Sequence, residues 1–187
     1  MNMIPLLLIC FSRFVSSPSG GTSTFSDIRR GYEITTPTEI TVAPQGDYFN
    51  PAIRDTEFLI INFHGKRAFS TTFIEAEYSA DLITAASQQA ISPCATDGDN
   101  VSTHGEKIDS GKVLRNPYGL RYAEVYAREY RYDNSKDTSY IVGPFFAVDI
   151  STKLEKRILF LPSGECDVPL EDAQIARIVL SGIRMTK

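Results

Sequence analysis

Residues 118–132 read YGLRYAEVYAREYRY and hold five of the nine tyrosines in the chain. In an extended strand, successive side chains point to opposite sides. Tyr118, Leu120, Tyr122, Glu124, Tyr126, Arg128, Tyr130 and Tyr132 then share one face. The other face carries Ala123, Val125 and Ala127, small enough for a helix to pack closely. Tyr118, Tyr122, Tyr126 and Tyr130 also recur at helical spacing, and Ala-Glu-Val-Tyr-Ala-Arg-Glu has fair helix propensity. The strand reading is adopted because the segments that follow are sheet-like.

Downstream, residues 133–137 (DNSKD) read as a hairpin loop. Residues 138–150 (TSYIVGPFFAVDI) form a long β-type run, with Tyr140, Val142, Phe146, Val148 and Ile150 in alternation. Gly143-Pro144 marks a bulge or an edge position within it. A turn at 151–156 leads to the short strand 157–161 (RILFL). Residues 168–185 read as a closing helix. Asp167 is a candidate cap, Pro169 suits a first turn, and Glu171 and Asp172 lie near the positive end. Leu170, Ile175, Ile178, Val179 and Ile183 make an apolar stripe that can dock on a sheet, and Gly182 weakens the last turn.

Upstream, residues 92–116 are dominated by Ser, Asp, Gly, Asn and Pro and read as one long exposed loop, with room for a brief strand at 112–114. Residues 80–91 have helical spacing of Leu82, Ile83, Ala86, Ala90 and Ile91, a cap from Ser79-Ala80-Asp81 and a stop at Pro93. Residues 57–63 (EFLIINF) read as a buried strand, 64–67 as a turn, and 69–78 as the hairpin partner. Residues 45–55 read as a loop. Residues 31–44 favour extended structure, which Pro37 confines to an edge or divides into two pieces.

These elements predict one α+β domain over residues 32–187, an antiparallel sheet flanked by helices in an α/β/α-type sandwich. Residues 1–19 read as a leader, from the apolar block 4–11 (IPLLLICF) and the polar, turn-rich stretch 16–24 after it. Residues 20–31 then form a flexible N-terminal segment. Export to a periplasmic or extracellular compartment agrees with the cysteine count. Without Cys10 the domain keeps Cys94 and Cys166, an even number, both in turn-rich contexts where a disulfide can close. Lipid attachment at Cys10 is disfavoured by bulky Ile9 before it.

The chain has 187 residues, and 19 Lys and Arg against 23 Asp and Glu leave a net charge of −4. That balance argues against nucleic acid as a partner. No stretch approaches the roughly 18 apolar residues of a membrane span. His64 in the HGKR turn reads as a solvated residue. His104, with Asp97 and Asp99, matches neither a zinc nor a calcium spacing, so neither metal nor cofactor is expected. Asn100-Val101-Ser102 fits a glycosylation acceptor in an exported eukaryotic chain.

The order of elements resembles the PsbP-like family, the fold of an extrinsic photosystem II subunit shared with Ran-binding nuclear-import proteins and small exported bacterial proteins. The similar features are the extended segment at 32–37, the strand at 71–78 leading into the helix from Asp81, and the Tyr- and Glu-bearing strand at 122–130. Two meander strands and a final helix ending in IVLSGI at 178–183 complete them. No family motif is matched residue by residue, so no functional residue is carried over. The resemblance implies a binding or assembly module without established chemistry.

The candidate binding residues are Tyr122, Glu124, Tyr126, Arg128 and Tyr130. An open face of tyrosines around a Glu124–Arg128 charge pair would suit sugars, peptides or a partner protein. Alternatively, the tyrosines fill a layer of the sandwich and the pair bridges at its margin. The leading expectation is an exported, non-enzymatic domain that recognises a protein or envelope component. The alternatives are a hydrolase using Glu75, Glu77 or Glu124, and a purely structural envelope protein.

Overall fold

The computed structural model describes residues 20–45, 58–75, 81–90, 94–95, 102–133, 136–153, 156–163 and 168–186. In chain order its elements are β1 (Thr22–Asp27), β2 (Tyr32–Pro37), β3 (Ile40–Gln45), β4 (Phe58–Phe63), β5 (Lys66–Glu75), α1 (Leu82–Ala90), β6 (Cys94–Ala95) and β7 (Ser102–Arg115). They continue with β8 (Arg121–Asp133), β9 (Lys136–Asp149), β10 (Arg157–Ser163), α2 (Leu170–Ser181) and β11 (Ile183–Met185). Antiparallel ladders join them into a three-stranded sheet, β1-β2-β11, and an eight-stranded sheet, β3-β4-β5-β10-β9-β8-β7-β6.

The tyrosine-rich stretch is pleated, as its alternation predicts. Ala123, Val125 and Ala127 of β8 are fully buried beneath α1, together with Phe145 and Ala147 of β9 and Ile158 and Phe160 of β10. Methyl-sized side chains let the α1 residues Ala85 and Ala86 approach the sheet directly. The opposite face packs Phe146, Val148, Leu159 and Leu161 against Ile175, Ala176 and Val179 of α2, and against Tyr32 and Ile34 of β2. β10 lies between β5 and β9 and is covered on both sides. Its uninterrupted Ile-Leu-Phe-Leu run has that physical cause.

Three further expectations have clear counterparts. Pro37 ends β2 and the chain turns into β3, where Thr36 donates its hydroxyl to the Ile40 carbonyl at 2.7 Å. β4 and β5 form the expected hairpin. Opposite Gly143-Pro144 the β8–β9 register shifts between Val125 and Ala127, which is a bulge.

The helix-flanked α/β/α sandwich is corrected. The fold is β-rich: eleven strands in two antiparallel sheets, with two short helices, among the described residues. The face assigned to the closing helix alone is shared by α2 and the three-stranded sheet. Residues 102–115, expected within a loop with room only for a brief strand at 112–114, form the long strand β7 throughout. Residues 22–27, expected in a flexible segment, form β1, and residues 183–185, expected in the helix, form β11. These strands were hidden by their polarity or brevity. Residues 109–115 are all exposed, so backbone pairing with β8 holds β7 in place, and pairing leaves little trace in apolar pattern.

Asp81 caps α1 as its position predicts. Its Oδ1 accepts from the Thr84 N–H at 2.8 Å and its Oδ2 from the Thr84 hydroxyl at 3.0 Å. The backbone hydrogen bond, then the hydroxyl one, holds the Asp81 carboxyl below the ordinary carboxylate range. Asp81→Ala is expected to cost about 1 kcal/mol at neutral pH. Because the folded pKa is the lower one, this contribution is complete above the unfolded value, about 3.9, and is lost as pH falls through the folded value. Urea midpoints of Asp81→Ala and the parent should therefore differ at pH 7 and converge in acid. A gap that persists in acid would reject the cap.

The leader expected at 1–19, the Cys94–Cys166 bridge and the Asn100 acceptor fall on residues or side chains outside those described. Among the described residues, no helix is long and apolar enough to cross a membrane.

Candidate functional site

β8 presents Tyr122, Glu124, Tyr126 and Arg128 on the face opposite α1. The pleat fixes that direction because Ala123, Val125 and Ala127 are buried under the helix. Glu124 is only 4% exposed. Its Oε1 lies 3.2 Å from Lys112 Nζ of β7 and 3.5 Å from Arg177 Nη2 of α2, and it accepts from the Tyr126 hydroxyl at 3.2 Å. A carboxylate buried to this degree is costly without opposite charge and hydrogen bonds. Both are supplied, one cation from the neighbouring strand and one from the helix packed above.

Arg177 also lies over the Phe146 ring, 5.6 Å from its centroid, and Tyr122 meets the same ring edge-on at 6.2 Å. Tyr122, Glu124, Phe146 and Arg177, with Asn116 and Leu180, line a pocket of about 210 Å³ between β8 and α2. Arg115 stands at this pocket, its Nη1 donating to the Gly119 carbonyl at 2.6 Å. The lining thus combines aromatic and apolar side chains, a buried ion-paired carboxylate and two guanidinium groups, each already engaged in part, Arg177 by Glu124 and Arg115 by the Gly119 carbonyl.

The expected charge pair does not form. Arg128 instead bonds Asp109 of β7, Nη2 to Oδ1 at 2.6 Å, because that strand lies beside it in the ladder. The structure thus brings Tyr122, Glu124 and Tyr126 together and directs Arg128 elsewhere. The side chain of Tyr130 lies outside those described, as do Glu77 and the side chain of Glu75. Of the three carboxylates on which a hydrolytic reading would rest, Glu124 is engaged by two cations and a phenol.

Sequence reasoning did not pick out Lys112, Asn116, Phe146 or Arg177. A signal existed for Asn116, since Asn-Pro-Tyr-Gly is a turn sequence in which the Asn side chain folds back on the backbone. Arg177 interrupts an apolar segment, Ile175 to Leu180, which marks a helix face bordering a polar feature.

No family model matches the chain, and no curated protein matches it. Among solved structures, the chain is similar to the solution structure of cyanobacterial PsbP (CyanoP) from Synechocystis sp. PCC 6803. The identity is 15%, over 91% of this chain and 95% of that one, with a TM-score of 0.47. At that identity and score the likeness assigns no residue a role and no family to the chain.

Proposed function

We propose that the chain is an exported, non-enzymatic binding domain that recognises a protein or envelope component through the tyrosine-bearing face of β8 and its pocket under α2. The observation that carries this reading is the placement of Glu124. Its charge is balanced within the fold, in the wall of an aromatic pocket, so the site offers shape, apolar area and guanidinium donors. Such a site suits an apolar or aromatic side chain flanked by an acidic group, because aromatic walls contribute area at low entropic cost and arginine recognises carboxylates in two-pronged geometry.

Tyr126 and Arg128 are half-buried and can be truncated without opening the core. The Tyr126→Ala, Arg128→Ala double variant is expected to retain the parent near-ultraviolet circular dichroism spectrum and to lose about tenfold in capture of its partner by the immobilised domain. Arg177→Ala should give a similar loss by opening the pocket wall. An unchanged set and amount of captured partners, with an unchanged spectrum, would remove this face from the proposal.

A further inference from the structure

The contacts of Glu124 are uneven. Lys112, Arg177 and the Tyr126 hydroxyl all reach the same oxygen, Oε1. Oε2 accepts no hydrogen bond among the described residues, and it is not sealed from the surface. The side chain is 4% exposed and lines the pocket between β8 and α2, so Oε2 opens into that pocket. A carboxylate can accept at about four positions over its two oxygens. One oxygen left without a donor in so buried a side chain is uncommon and costly.

The rest of the lining restricts what can supply the donor. Leu180, Pro117 and the rings of Tyr122 and Phe146 offer aliphatic and aromatic surface. The pocket volume, about 210 Å³, lies below the range of small-ligand clefts, about 300–1,000 Å³, and suits one side chain better than a whole cofactor. Lys112 and Arg177 already neutralise the carboxylate, so an incoming ammonium or guanidinium would meet two cations. A sugar would bring several hydroxyl groups to a lining whose Arg115, Asn116 and Ser181 are bonded within the fold. A phenol would bring an oxygen that needs a donor of its own.

An indole brings one N–H, accepts nothing, and is otherwise a flat apolar ring. It is also the aromatic ring that a guanidinium favours most. Arg177, half-exposed and lining the pocket, already lies over one ring, that of Phe146.

We infer that the pocket admits a tryptophan side chain of the partner protein, its indole N–H donating to Glu124 Oε2. This anchor rests on the reading of the β8 face as the recognition surface, and it adds the identity of the residue recognised. It requires no unpaired cation. Glu124 becomes the specificity-determining residue, because its open oxygen is satisfied by a donor-bearing ring and left unpaired by a phenyl or aliphatic one.

The chain contains no tryptophan, so indole fluorescence reports an added probe alone. N-acetyl-tryptophanamide titrated with the full chain should show a saturable blue shift. Amide nuclear magnetic resonance shifts of the chain should map to Tyr122, Phe146, Arg177 and Leu180. The N-methylindole analogue, which keeps the ring and loses the donor, is expected to bind about tenfold or more weakly. N-acetyl-phenylalaninamide should be weakened at least as much. Because the donor is removed from the ligand, the comparison does not depend on a protein variant keeping its fold. Equal binding of the methylated probe, shifts mapping elsewhere, absence of saturation, or tighter binding of methyl glucoside than of the indole probe would overturn the anchor. Each of these leaves standing the capture losses expected for the Tyr126, Arg128 and Arg177 variants. Undiminished capture by those variants is a separate outcome and would overturn the recognition surface itself.

Discussion

Gly182→Ala is expected to destabilise the fold by about 3 kcal/mol or more, because there is no room for a methyl group where α2 crosses β2. A Cβ at this position would stand 1.8 Å from the Thr35 carbonyl oxygen and 2.9 Å from its carbon. Both obstacles are backbone, so no rotamer change relieves them. The backbone of Gly182 has φ −95° and ψ −3°, which other residues adopt, so the requirement is one of space alone. The contact is also a bonded one, since the Thr35 N–H donates to the Gly182 carbonyl at 3.0 Å. One residue later β11 begins its pairing with β2, Ile183 opposite Ile34 and Arg184 opposite Glu33, with an ion pair between the latter two side chains. Accommodating the methyl means lifting α2 and β11 away from β2 together. For a domain of this size the melting temperature should fall by roughly 6–12 °C. Gly65→Ala is the control: its φ of +75° strains an alanine, but nothing lies within 4 Å of the added carbon, so a loss of about 1–2 kcal/mol is expected. Equal urea midpoints for Gly182→Ala and the parent would refute the close crossing.

Asn116→Asp, an exchange of one amide nitrogen for oxygen, is expected to be strongly destabilising. Asn116 is buried, and its amide uses its full hydrogen-bonding capacity. Nδ2 donates to the Leu180 carbonyl at 3.1 Å and the Ile183 carbonyl at 2.7 Å, while Oδ1 accepts from the N–H groups of Tyr118 and Leu120, both at 3.0 Å. The partners themselves fix which amide atom is which, two carbonyls on one side and two N–H groups on the other. An aspartate would keep the acceptor and turn a second oxygen toward two carbonyls in a buried site, at a cost of about 3–5 kcal/mol. The sign of its pH dependence follows from linkage. Burial and the facing carbonyls would raise the folded pKa of the new carboxyl above the unfolded value, about 3.9, so the folded state holds the proton longer. Stability then falls as pH rises between those two values. The deficit should be smaller at pH 4 than at pH 7. A deficit that does not change over that interval, or parent-like stability at pH 7, would refute the role given to this amide.

Both residues show why some of the fold was legible in the sequence and some was not. The pleat of β8 could be read because its two faces differ in size, Ala and Val against Tyr, and the difference has a packing cause. β10 could be read because burial on both sides demands an unbroken apolar run, and α1 because Asp81 supplies a local cap. β7 could not, because its exposed length depends on partner backbone and not on its own side chains. β11 continues the apolar spacing of α2 through Ile183, so only the close approach to Thr35 reveals where the helix ends. At the candidate site, Tyr122, Glu124 and Tyr126 lie on one strand and share a face by pleat alone. The cation from Arg177 comes from α2, 53 positions further along, and Arg128 turns to a neighbouring strand. Neither choice has a signature within the segment 118–132. Gly182 itself, read as a weakness in the last helical turn, is the residue that lets the helix end against the sheet.

The pairing of β11 with β2 joins residues about 150 positions apart, and that span has a consequence during synthesis. At about 5–20 residues per second, a ribosome needs roughly 8 to 30 seconds between finishing one strand and starting the other. Throughout that interval the β1–β2 hairpin of the nascent chain has one unfilled edge, and Tyr32 and Ile34 lack the lid that α2 and β11 later provide. The open edge is a template for any extended polypeptide nearby. Translation speed and holding chaperones therefore bear on the yield of this protein through one short strand, the last of those described to emerge.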